Sequence, residues 1–342
     1  MKKIGLFWDE ILPQKNLTEQ EKFVKAGLNS GNLIFIESLK SILDPIILPR
    51  WSIGNNDYFD SNDFDAFVTT DLIWLNEGTE YPHVEKMLHR IGDKKLVPIS
   101  VGIQAPRTAT NVKLHPNTLR LLSEISERAT LAIRGAFTAD VLNRNGIKNI
   151  QIVGCPSLYY NLRENYQITH TELSKWPKII CTFRTFYGQL SKDECHFLTY
   201  AANRNWKFVE QTQHSLNLTH VKNNQKMYNF LHSWLERQEE LFFDAKEWIQ
   251  WASYYDMAIG SRFHGNVVAI LNNRPALFFV ADKRMNEMCD FFHLPTMLMS
   301  EFDDTKSIQY YYEKADYSNF NKIYPSLQSN FISYLKKNDL RE

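Results

Sequence analysis

No C-x-x-C pair, no membrane-length apolar run and no excess of either charge marks this 342-residue chain. Each absence excludes something. Its four cysteines, Cys155, Cys181, Cys195 and Cys289, stand far apart, which argues against a zinc site and against a disulfide framework and leaves them as reduced, mostly packing residues. Lysine plus arginine equals aspartate plus glutamate at 39 each, so no global field draws the chain to nucleic acid, and any anion site has to be local. The opening Met1-Lys2-Lys3-Ile4-Gly5-Leu6-Phe7-Trp8 is basic and then apolar, but Asp9 and Glu10 end it too soon for a secretory signal. Nothing approaches the roughly 18 apolar residues of a membrane span. The expected location is therefore the cytoplasm. Also missing are G-x-x-x-x-G-K-[ST], a G-x-G-x-x-G after the first strand, G-x-S-x-G and H-E-x-x-H, and with them the chemistries those motifs carry.

What is present is an alternation of apolar, β-branched runs with helix-like segments, the pattern of parallel βαβ units. In the first half the strand segments are 3–8, 45–48, 66–69, 95–101, 130–133 and 150–153, with helices over 33–43, 84–91, 116–127 and 136–145, while 9–25 reads as a long loop. After Cys155-Pro156-Ser157 a polar stretch, 161–171, separates a second series with strands at 178–183, 207–210, 257–260 and 276–280 and helices at 193–204, 227–237 and 245–252. An amphipathic, aromatic-rich segment, 305–342, is suited to a helix packed on one or both units. The expected fold is α/β: two Rossmann-like doubly wound domains, 1–170 and 171–342, facing a cleft with their strand carboxyl ends.

The strand ends carry the chemistry. Gly260-Ser261-Arg262-Phe263-His264-Gly265 lies between an apolar strand and the helical Asn266–Leu271 stretch, which brings an arginine, a histidine and the N–H groups of a helix start to one corner. Strand 130–133 runs into Arg134-Gly135, and strand 276–280 into Asp282-Lys283-Arg284 with Glu287 beyond. Strand 95–101 runs into Gly102-Ile103-Gln104, where the glycine permits close approach of a ligand. Any one of these arginines could serve a structural ion pair with Asp256, Asp282 or Glu287; three at buried strand mouths point together to an anion-binding cleft. Asn29-Ser30-Gly31-Asn32, before the helix at 33–43, could offer N–H groups to a ligand or simply cap that helix. Asp63-Phe64-Asp65 echoes a metal-binding D-x-D but reads as a solvated turn, and Trp51 and Trp74 follow strands where they could stack on a sugar face.

Taken in order, these segments resemble the polysaccharide pyruvyl transferase family. The resemblance rests on Ser261-Arg262-Phe263-His264-Gly265 with Pro275, on Ile133-Arg134-Gly135-Ala136-Phe137-Thr138-Ala139 and on Ile152-Val153-Gly154-Cys155-Pro156-Ser157. Asn29-Ser30-Gly31-Asn32, Gly102-Ile103-Gln104 and Asp282-Lys283-Arg284-Met285-Asn286-Glu287 complete it. It implies a GT-B-like pair of domains and transfer of pyruvate from phosphoenolpyruvate onto two hydroxyls of a sugar as a cyclic ketal, in bacterial surface or capsular polysaccharide synthesis. It implies that His264 is the catalytic group and that Arg134 and Arg284, or its neighbour Lys283, hold the donor, with Arg262 and Gly265 supporting. Asn29, Gly31, Asn32, Gly102 and Gln104 would line the cleft. No metal or cofactor is required beyond phosphoenolpyruvate as co-substrate. The acceptor is a saccharide; a lipid-linked one would bring the protein to the inner face of the membrane. Cys155 stands where many relatives carry an aspartate before the proline. Two other readings remain open at this point: a GT-B glycosyltransferase gripping a sugar nucleotide, and a non-catalytic assembly protein on the same fold.

Overall fold

A computed structural model describes residues 2–12, 15–184, 190–212, 218–221 and 224–342. Its first half runs β1 (Ile4–Phe7), α1 (Glu19–Lys25), α2 (Asn32–Leu43), β2 (Ile46–Leu48), β3 (Ala66–Thr69), α3 (Pro82–Ile91), β4 (Lys95–Pro98), α4 (Pro116–Arg128), β5 (Leu131–Ile133), α5 (Ala136–Arg144) and β6 (Ile150–Ile152). The strands pair in parallel in the order β2-β1-β3-β4, and β5 pairs with β6. A parallel bridge between Val101 and Ile133 joins the two groups past the end of β4. Strands such as β1 and β3 are buried along their whole length, as sheets covered on both faces require. Helix α3 shows how the cover is made: Val84, Met87, Leu88 and Ile91, spaced along one face, are its buried residues.

The second half runs β7 (Ile179–Thr182), α6 (Lys192–Asn203), β8 (Lys207–Glu210), α7 (Gln225–Gln238), β9 (Glu239–Leu241), α8 (Ala245–Ala252), β10 (Met257–Gly260), α9 (Phe263–Ile270), β11 (Ala276–Phe279), α10 (Lys283–Phe292) and β12 (Thr296–Met297). These strands form one parallel sheet in the order β12-β11-β10-β7-β8-β9. Helix α9 is buried at every position, the apolar stretch 267–270 and the polar His264 and Asn266 alike. The architecture is two Rossmann-like units in a GT-B arrangement.

The segment 305–342 forms α11 (Ile308–Lys314) and α12 (Ser318–Lys337). Although α12 follows the second sheet, it packs against the first half as well: the Asn338 side chain accepts the Thr130 N–H at 2.8 Å, the Gln151 amide donates to the Asn330 carbonyl at 3.0 Å, and the Phe331 and Tyr159 rings stack 4.4 Å apart. A second tie lies near the cleft, where Pro106 bridges Asp282 and the Lys283 N–H donates to the Ala105 carbonyl at 3.0 Å.

The 9–25 stretch is not all loop. Residues 19–25 are helical because Thr18 and Glu21 form a reciprocal capping box, satisfying N–H groups that seven residues could not pair among themselves. Strand β9 was not expected either: Glu239-Glu240-Leu241 is charged and half-exposed at the sheet edge, so it lacks the apolar run that marks the interior strands.

Candidate functional site

The carboxyl ends of both sheets converge on two adjoining cavities. The inner one is lined by Arg134, Arg184, Arg262 and Arg284 with His264 and Gln211, and the outer one, of about 820 Å³, opens from it over the aromatic residues Trp8, Trp51 and Trp74. Arg184, Arg262, Arg284, Asn29 and Asn32 belong to both, so the two spaces are continuous.

Arg134 enters just beyond β5 and is 2% exposed. Its Nε donates to the Ser100 carbonyl at 3.0 Å and to Ser100 Oγ at 2.9 Å, and its Nη2 is buried without a hydrogen-bond partner. Arg262 caps the start of α9; its Nη2 donates to Thr212 Oγ1 at 2.6 Å, while its Nε is buried and unpartnered. Among the described residues, no ion pair within 4.0 Å engages Arg134, Arg262 or Arg284. Burial, together with the neighbouring guanidinium groups, pulls Arg134 down to about 10 and Arg262 down to about 9. Buried cations with unspent donors are costly, and an anion with several oxygens is what would satisfy them.

His264 lies in the first turn of α9, 8% exposed, with its Nε2 3.4 Å from Cys155 Sγ. Burial first, then the charges of Arg134 and Arg284, hold its imidazole well below the usual histidine range. It is neutral at physiological pH unless negative charge arrives nearby. Cys155 therefore does more than pack: it is fully buried against the imidazole and accepts from Ser157 Oγ at 3.1 Å. The two residues are 109 positions apart, so spacing gave no hint of the contact.

The structure sorts the remaining candidates. Arg284 faces both cavities, whereas Lys283 turns away, its ammonium 5.1 Å from the centre of the Phe137 ring. Lys283 lines neither cavity. Asn29, Asn32 and Gln104 reach the cavity walls. Gly31 and Gly102 line neither cavity. A Cβ on Gly102 would lie 2.5 Å from Arg134 Cδ, and one on Gly31 would lie 2.5 Å from Gln211 Oε1, so both glycines make room for side chains of the site. The Gly31 N–H is spent on Asn29 Oδ1 at 3.0 Å. Gly265 has the same packing role, tight against Gln211 and Thr182. Helix α9 begins at Phe263, so the Asn266 N–H is committed to the Arg262 carbonyl at 3.1 Å; the first turn, Phe263 to Gly265, has no side-chain cap. Asp63 and Asp65 are structural, Asp65 accepting the Lys3 N–H at 2.7 Å. Among the described residues, no group of three or more His, Cys, Asp or Glu could hold a metal ion.

Two polar residues of the inner cavity, Arg184 and Gln211, lie outside the sequence motifs. Arg184 follows β7 and Gln211 follows β8. The strand-end rule that selects Arg134, applied to every strand, selects both.

Fold and site together define a GT-B-like α/β protein with a cation-lined pocket between two Rossmann-like units. A family model described as polysaccharide pyruvyl transferase matches residues 74–282, and the chain belongs to that family. Among solved structures, the S. aureus MnaA-UDP co-structure is similar over 98% of this chain and 96% of that one, at 11% identity and a TM-score of 0.52. Anabaena Alr3699/HepE in complex with UDP and glucose is similar over 99% and 96%, at 10% identity and a TM-score of 0.44. The first likeness bears on the fold alone. No curated protein matches the sequence significantly. Among the described residues no helix is long and apolar enough to cross a membrane.

Proposed function

We propose that this protein transfers pyruvate from phosphoenolpyruvate onto two hydroxyls of a saccharide, forming a cyclic ketal during assembly of a surface or capsular polysaccharide. The observation that carries the reading is the inner pocket, where Arg134 and Arg262, each buried with one guanidinium nitrogen lacking a partner, stand beside Arg284 and His264. Phosphoenolpyruvate presents a carboxylate and a phosphate a few ångströms apart, and guanidinium groups entering from both sheets suit two such anions.

Binding the donor sets up the chemistry. Burial holds His264 low and the guanidinium charges add to it; the negative charges of the donor offset the second of these and so favour protonation of the imidazole when the donor arrives. His264 then gives that proton to the methylene carbon, and the oxygen of the first acceptor hydroxyl bonds to the adjacent carbon. The second hydroxyl oxygen displaces phosphate from that carbon and closes the ring. Of the two hydroxyl protons, one returns to His264 and the other leaves with the phosphate. Arg134 and Arg284 carry the charge of the departing phosphate, so the scheme needs no metal.

The test is a thermal-shift titration with phosphoenolpyruvate against a panel of UDP-sugars, followed by phosphate release in the presence of saccharide acceptors. A ligand at a hundred times its dissociation constant stabilises the protein by about 2.7 kcal/mol. Stabilisation by UDP-sugars and none by phosphoenolpyruvate would refute the assignment.

A further inference from the structure

We propose that Asp71 and Trp74, in the outer cavity, hold a pyranose ring of the acceptor through one of its hydroxyls and one of its apolar faces. The proposal rests on the pyruvyltransferase reading only in calling that sugar the acceptor.

Asp71 lies two residues beyond β3, at a strand mouth on the wall of the outer cavity, and is 8% exposed. Its Oδ1 sits 3.2 Å from Arg50 Nη2, and its N–H donates to Thr69 Oγ1 at 3.3 Å. Its Oδ2 is buried in the cavity wall with no hydrogen-bond partner. A buried carboxylate oxygen left without a donor is expensive, and a carboxylate can only accept. What it lacks is an O–H or N–H from something seated in the cavity.

The surroundings narrow the choice. An anion would meet the carboxylate. A divalent cation would meet Arg50, which is held against Asp71 and stacked over the Trp8 ring at 4.7 Å. A neutral polyol meets neither penalty. Trp74, 43% exposed, stands edge-on to Tyr81, and Trp51, 60% exposed, edge-on to Tyr58, so each leaves indole surface uncovered at the same cavity. Such rings with a nearby acceptor match a sugar, apolar on one face and rimmed with hydroxyls. His83 is on the same wall, where burial holds it below the usual histidine range against the pull of the Asp71 carboxylate; a neutral imidazole both donates and accepts. Because the outer cavity runs into the inner one, a ring on Asp71 faces the arginine pocket.

The experiment is saturation-transfer NMR and titration of the whole chain with methyl hexopyranosides of gluco, galacto and manno configuration in both anomers. It compares the unaltered protein with Asp71→Asn and Trp74→Ala, and a phosphoenolpyruvate thermal shift is recorded on each. At least one glycoside should bind, and each variant should weaken it about tenfold or more, the loss of one charge-assisted hydrogen bond or of the ring contact. The response to phosphoenolpyruvate should be the same in all three proteins. Trp74 is partly exposed, so its removal tests the proposal even if Asp71→Asn perturbs folding. Absence of glycoside binding by the unaltered protein, or unchanged affinity in both variants, overturns the proposal. Glycoside binding that depends on Asp71 in a protein indifferent to phosphoenolpyruvate would keep this assignment and sink the donor reading instead.

Discussion

Replacing Glu287 with glutamine should stabilise the protein in neutral buffer relative to mildly acidic buffer, because this carboxylate is ionised against its surroundings. Glu287 is on α10, 4% exposed, and reaches across to α5, accepting from the Thr138 N–H at 2.9 Å and the Thr138 hydroxyl at 2.7 Å. Thr138 Oγ1 in turn accepts the Ile103 N–H at 3.0 Å, so one chain of hydrogen bonds spans the cleft floor. Burial pushes the carboxyl up from 4.5 to about 7, against the opposing pull of the Thr138 hydrogen bonds and of Arg134 and Arg284. A carboxyl raised on folding binds more protons in the native state between those two values, so stability falls as pH rises through that window and is level above it. The interval of roughly 2.5 pH units, at about 1.4 kcal/mol each, amounts to about 3 kcal/mol. Glutamine keeps an oxygen for the Thr138 N–H and never ionises. Urea denaturation of both proteins from pH 4.5 to 8.5 should show Glu287→Gln gaining on the parent by about that amount up to pH 7, then holding level. A difference independent of pH would refute the reasoning, since it would mean that the carboxyl is solvated or fully compensated in the fold.

His264→Ala should lower turnover about a hundredfold or more while phosphoenolpyruvate still binds, as steady-state kinetics and thermal shift together would show; normal turnover would remove His264 as the acid. Arg134→Lys should mainly raise the KM for phosphoenolpyruvate, because the planar fork that can grip two oxygens is lost, and an unchanged KM would count against its role. Gly102→Ala places a methyl group 2.5 Å from Arg134 Cδ, so the guanidinium has to move; donor affinity should fall with the far-UV circular dichroism spectrum intact. Thr18→Ala removes the capping box of α1 and should cost about 1 kcal/mol in urea denaturation, with kinetics unaffected.

The interior strands were legible in the sequence because their apolar runs are local. The segment 66–69 and the strands at 207–210 and 257–260 match in place and extent, since nothing outside them is needed to mark them. Edge strands β9 and β12 were not, because pairing with a neighbour rather than composition holds them. At the site, strand-end reasoning reached Arg134, Arg262 and Arg284, whose position follows from topology. At Gly31 and Gly102 it foresaw a close approach, which side chains of the site make, because a glycine says that something comes close and not whether that is a ligand or a side chain. It left Lys283 and Arg284 undivided, since the turn of α10 that separates them is set by Asp282 capping the helix at Met285. The meeting of Cys155 with His264 and the orphaned oxygen of Asp71 are tertiary facts that no local pattern records.

The path of α12 also governs when the first sheet can be finished on the ribosome. Strand β6 lies at that sheet's edge, and its Ile152 carbonyl is capped by the Asn330 side chain at 2.8 Å, 178 positions later in the chain. At about 5–20 residues per second, the nascent first unit waits on the order of 10 to 35 seconds for the residues that cover it. During that interval an open strand edge and the face awaiting Phe331 are exposed to other chains. Expression at lower temperature or with added chaperone capacity should therefore raise soluble yield more than any stabilising change in the second sheet.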